Sequence, residues 1–116
     1  MNLERLYKKK ERLDAMRPLP PELVRNLEAW FLVELTYTSN ALEGNTLSRK
    51  ETAAVVEKGL TVGGKTLVEH LEATNHAKAL QVVIRLAQTP TRQLKLADLL
   101  RIHETVLRGI NDDHAG

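Results

Sequence analysis

The residues with the most chemical potential lie in TSNALEGN, Thr38 to Asn45. On a helix, Ser39 and Glu43 place a hydroxyl and a carboxylate on one face, one turn from each other. Gly44 suits the end of that helix. A carboxylate in a last turn sits at the negative end of the helix dipole, so Glu43 asks for a positive partner. The alternative is a carboxylate simply solvated beside a glycine cap. Ser39 has no histidine or lysine near it in sequence to take its proton, so capping or anchoring suits it better than nucleophilic attack. Asn40 and Asn45 fit turn chemistry.

Other groups are weaker candidates. Glu72 and His76 stand one helical turn apart with Asn75 beside them, an arrangement suited to a hydrogen bond between helices; acid–base work would need a pocket. No metal site is expected. His70 and His76 are out of phase on a helix, and His103-Glu104 lacks the second histidine of a zinc-protease motif. His103 falls on an apolar stripe and reads as a core residue. GLTVGGKT, Gly59 to Thr66, fits the phosphate-loop pattern letter for letter. Such a loop needs a strand entering it, whereas here a capped helix does, so the pattern reads as glycine turns before a threonine-capped helix with Lys65 solvated.

These residues must be positioned by helices. Apolar spacing and caps predict an all-α, multi-helix array in one unit over 1–116, with helices at 2–16, 21–43, 48–58, 66–88 and 95–108. The first has a thin apolar face and is broken by Pro18, Pro20 and Pro21. The second, with Leu23, Leu27, Trp30, Phe31, Leu35 and Leu42, reads as the central helix, with Trp30 and Phe31 in the core. Ser48 to Glu51 and Thr66 to Glu69 form capping boxes. Gly59 ends the third helix. Leu67, Leu71, Leu80, Ile84 and Ala87 line the fourth, which Pro90 closes, and Leu96, Leu99, Leu100, His103, Val106 and Leu107 line the fifth.

Composition narrows the classes of function. A chain of 116 residues, 42% apolar, suits a single core. With 28% charged residues and a net charge of +2, it generates no large field, and the local cluster Lys8, Lys9, Lys10 and Arg12 reads as a solvated helix face; a nucleic-acid partner is disfavoured. The absence of cysteine excludes disulfides, thiolate zinc sites and cysteine nucleophiles. No secretory leader and no long apolar run is present, so a cytoplasmic location without membrane contact is the expectation.

The string SNALEGNTLS, with Ser39, Glu43 and Gly44, resembles the inhibitory-helix motif of Fic (Fido) proteins, whose usual activity transfers AMP from ATP to a protein hydroxyl. MRPLPPELVRNLE upstream and VGGKTLVEHLEATNHAKAL downstream resemble the N-terminal region of the Fic subgroup that carries this helix ahead of its catalytic core. The resemblance implies that Glu43 pairs with the second arginine of the catalytic loop and obstructs the position of the ATP γ-phosphate. It also implies that Leu42 helps seat the helix, and that Glu72, Asn75 and His76 support the packing. ATP and magnesium are implied for the complete fold, and in some members the same glutamate is linked to removing AMP.

The family's catalytic loop, a histidine followed by a Gly-Asn-Gly-Arg run and a second arginine, occurs nowhere in these residues. No catalytic residue and no bound cofactor is therefore expected in this chain, nor AMP transfer by it alone. NDDHAG reads as leading into further Fic sequence, so a shortened chain is the expectation. The partner is then a Fic catalytic segment in cis or a Fic catalytic chain in trans. A homodimer and an unidentified protein substrate remain open. The alternative is a non-enzymatic, antitoxin-like helical module that binds a separate Fic catalytic chain.

Overall fold

The computed structural model describes residues 2–89 and 93–116. Five α-helices follow in order: α1 (Leu3–Ala15), α2 (Pro21–Leu42), α3 (Arg49–Lys58), α4 (Leu67–Ala87) and α5 (Leu96–Leu107), with a short 3-10 turn, Asp112–His114. No strand occurs among the described residues. The caps set most boundaries. Pro21 occupies the first turn of α2, where its missing amide hydrogen has no helical acceptor to lose. Ser48 and Glu51 exchange hydrogen bonds of 3.0 and 2.9 Å, and Thr66 and Glu69 do so at 3.1 Å each. Gly59 takes φ 64° after α3. Pro90 lies outside the described residues; α4 ends at Ala87.

α4, rather than α2, is the hub: it packs against α2, α3 and α5. Its buried residues are Ala73, Asn75, Ala77, Ala79 and Val82, more than one helix face can hold, and the alanines let neighbours approach on several sides. Of the expected apolar line, Leu67 is 74% exposed and Ala87 is exposed, whereas Leu71, Leu80 and Ile84 are half-buried. A small tight core joins Leu47, Val55 and Ala73, with Val56 and Val62 against it.

α2 packs through Val33 and Thr36. Trp30 and Phe31, expected in the core, are exposed, as are Leu23 and Leu27. The physical reason is phase: Leu27 and Thr36 are two and a half turns apart, so they point to opposite sides of the helix. α2 is apolar on two sides, and α4 covers only one. α5 likewise leaves Leu96, Leu99 and Leu100 exposed, and His103 is exposed too, accepting the Gly116 amide at 3.2 Å. α1 buries no residue and touches no other described element. This projecting arm raises the radius of gyration to 16.8 Å, against about 13 Å for a compact chain of this length.

Candidate functional site

The last turn of α2 ends in a tight reversal. The Gly44 amide donates to Ala41 O at 3.1 Å and the Asn45 amide to Asn40 O at 2.9 Å, the paired bonds of a Schellman cap. This geometry needs positive φ at Gly44, which has φ 96°. Glu43 is the cap residue itself, and its side chain is exposed. The last turn contains no basic residue, and among the described residues no cation pairs with Glu43. Its carboxylate is therefore presented to the outside from a turn whose amides at Glu43, Gly44 and Asn45 are all hydrogen-bonded.

Ser39 is half-buried on the same helix, and no side-chain bond anchors it among the described residues. The Asn40 amide nitrogen is enclosed with no acceptor among them. Leu42 is 87% exposed, so it does not seat the helix against any described element. The hydroxyl–carboxylate pair is thus held by backbone geometry, with no side-chain bond of its own.

The holding comes from the next two residues. Asn45 is buried; its amide donates to Glu69 O at 3.1 Å and to Glu72 Oε1 at 3.4 Å, while its own oxygen accepts the Leu47 amide at 2.9 Å. Thr46 donates its amide (3.0 Å) and hydroxyl (2.6 Å) to Glu69 Oε1. Glu69 Oε2 meanwhile caps α4 through the Thr66 amide at 3.1 Å. These donors, the Thr46 hydroxyl first and then the two amides, draw the Glu69 carboxyl down to about 2. Lys65 is not solvated: its ammonium donates to Thr46 O at 2.8 Å and to the Thr46 hydroxyl oxygen at 3.1 Å. The loop that matched a phosphate-loop pattern instead holds the far side of the turn. His70 fixes that loop, accepting the Val62 amide at 2.9 Å.

Glu72, Asn75 and His76 do not act as one group. Glu72 reaches Asn45, and His76 Nδ1 lies 2.9 Å from the Thr36 hydroxyl on α2. Burial of the imidazole pushes its pKa below 6.5. Asn75 faces the other way and donates to Val106 O (3.0 Å) and Arg108 O (2.8 Å) at the end of α5. The sequence reading missed Arg49, which grips Glu34 on α2 through two bonds of 2.7 and 2.8 Å and stacks 4.8 Å over the Tyr37 ring. Its only local signal is its place at the start of α3. Among the described residues no cluster of three metal-ligating side chains exists. No helix among them is long and apolar enough to cross a membrane.

The curated relatives agree with one another. The chain is 35% identical over 77% of its length to a protein adenylyltransferase Fic of Nematostella vectensis, covering 20% of that protein. It is 31% identical over 97% of its length to that of Culex quinquefasciatus, covering 22%. With protein adenylyltransferase fic-1 of Caenorhabditis elegans it shares 33% identity over 77% of its length, covering 17%. The chain thus spans about a fifth of the length of the curated relatives it matches. No family model matches the chain, and no solved structure does. Similarity to these proteins over most or nearly all of its length, carried on an all-helical segment, makes this chain a member of the Fic protein adenylyltransferase family.

Proposed function

We propose that this chain is the N-terminal, auto-inhibitory part of a Fic-type protein adenylyltransferase, which transfers AMP from ATP to a protein hydroxyl. The observation that carries the reading is the Glu43 carboxylate, exposed and without a cation at the negative end of α2. Such a group fits the fork of an arginine, which binds a carboxylate through two parallel hydrogen bonds. An arginine so occupied is withdrawn from binding phosphate, and the carboxylate adds negative charge where a triphosphate must sit. Glu43 then obstructs the γ-phosphate position. Ser39 and Gly44 complete the motif, and Glu69, Glu72 and His76 hold α4 and the turn in register.

The arginine and the nucleotide-binding groups come from a Fic catalytic segment, in cis within a longer protein or in trans from a separate chain. Magnesium finds no cluster of ligands among the described residues, and no residue of this chain is assigned to it. The chain alone is inactive on this reading. The test is an adenylylation assay with ATP on a protein that joins this segment to its catalytic segment: Glu43→Gly raises the rate at least several-fold over the unaltered protein. An unchanged rate, with the variant folded, refutes the inhibitory role.

A further inference from the structure

One flank of the chain sets an apolar slope beside arginines that nothing neutralises. Leu27, Trp30 and Phe31 on α2, between 48% and 62% exposed, border an open groove of about 350 Å³ with Glu28 and Ile84. Glu28 and Ile84 also line the adjoining cleft of about 450 Å³ between α2 and α4, which Arg25 and Arg85 rim. Arg85 in turn borders a third hollow, of about 310 Å³, together with Arg101 of α5. Each hollow shares a lining residue with the next, so the three form one continuous surface.

A run of charge along one helix is an ordinary solvated face. Here the cations converge from α2, α4 and α5 on a concave surface, and none of the three pairs with a carboxylate among the described residues. Two acids border the same surface. Asp98 is buried and engaged, accepting the Lys95 amide at 3.0 Å. Glu28 is exposed and bonds neither Arg25 nor Arg85. Three exposed guanidinium groups therefore face a single free carboxylate.

An acidic amphipathic helix answers both halves of this surface. Apolar side chains one turn apart cover Leu27, Phe31 and Ile84, and carboxylates enter the arginine forks. Arg25 and Phe31 are about 9 Å apart along α2, so the carboxylates follow the anchors by one to two turns. A nucleic-acid backbone would instead place phosphates over the apolar slope and against Glu28, so it complements the surface less well. Leu27 also lies about 24 Å along α2 from Glu43. A catalytic segment seated at Glu43 leaves this flank open, and binding here neither needs nor tests that contact. We infer that the flank docks an acidic amphipathic helix of a separate protein, anchored on Leu27, Phe31 and Ile84 and paired with Arg25, Arg85 and Arg101.

Trp30 is the only tryptophan of the chain, so its fluorescence reports on the groove directly. The probe is a synthetic peptide of about 16 residues, with leucines one turn apart followed by glutamates over the next two turns. Titrated into the 116-residue chain at low salt, it moves Trp30 emission to shorter wavelength with a Kd of about 10–100 μM, and about 0.5 M salt weakens it several-fold. A peptide with alanine for leucine does not bind. Arg25→Glu with Arg85→Glu weakens binding at least tenfold, and a peptide with lysine for glutamate then binds this variant but not the unaltered chain, a rescue that misfolding cannot produce. An emission indifferent to the peptide overturns the inference, as does binding insensitive to salt or to the double charge reversal. So does a single-stranded oligonucleotide of equal charge that binds more tightly than the peptide. Emission already at short wavelength before peptide is added, because α1 or a second copy covers the groove, overturns it too.

Discussion

Asn75→Ala should detach the end of α5 from α4. The Asn75 amide bridges Val106 O and Arg108 O at 3.0 and 2.8 Å, carbonyls that the end of a helix otherwise leaves unpaired. α5 otherwise packs along α4 through half-buried side chains such as Ile102 and Val106, and its only fully buried side chain among the described residues is Asp98, at the opposite end. Each bond contributes about 1 kcal/mol net, and two half-enclosed carbonyls lose their donor, so the change should cost about 2–3 kcal/mol. For a chain of this size that lowers Tm by roughly 10 °C. Thermal unfolding by circular dichroism measures the loss. Hydrogen exchange locates it: the amides of Ile110 and Asn111, both bonded to Leu107 O at 2.9 Å, should exchange faster, while those of α3 should not. Glu57→Ala on the exposed face of α3 serves as the control, expected within about 0.5 kcal/mol of the unaltered chain. A loss for Asn75→Ala no larger than that, or one with no change in exchange at Ile110 and Asn111, refutes the argument.

Thr36 is fully buried, so Thr36→Val keeps the shape, strips His76 of its hydroxyl partner and should cost about 1–2 kcal/mol in denaturant unfolding. In a His76→Phe background most of that cost should vanish, and equal costs in both backgrounds would deny the coupling. At Gly44 an added Cβ meets nothing within 4 Å, so Gly44→Ala should cost only the backbone strain of φ 96°, about 1 kcal/mol, with the fold retained. Glu69 and His76 each contribute to the pH response, with signs that follow from which state binds protons more tightly. Glu69 has a lowered folded pKa of about 2, so its contribution is complete above about 4.5 and is lost as pH falls toward 2; Glu69→Gln should flatten unfolding free energy against pH in that window. The His76 pKa is lowered by burial, so the unfolded chain takes up the proton first and stability should decline as pH drops below 6.5, a decline absent in His76→Phe.

The helices were legible because their signals are local. Ser48 with Glu51, Thr66 with Glu69, and Gly44 and Gly59 satisfy or terminate a helix within a few residues of themselves, and no distant contact is needed to read them. The candidate motif was legible for the same reason: the spacing of Ser39 and Glu43, and the glycine that stops the helix between them and Asn45, are properties of a single turn. The electrostatic tension at Glu43 also follows from its position alone.

Tertiary structure decided everything that depends on which faces meet. α2 is apolar on two sides, and periodicity cannot rank them; packing chose Val33 and Thr36 and left Trp30 and Phe31 outside. Alanines scattered through α4 have no stripe to announce a hub, yet their small size is what lets three helices approach it. Glu69 was readable as a cap of α4, but its grip on Thr46 spans 23 residues, and the Thr36–His76 bond spans 40. Such pairings have no period or spacing in the chain, because they arise only when burial of the shared core brings separate helices to a common surface.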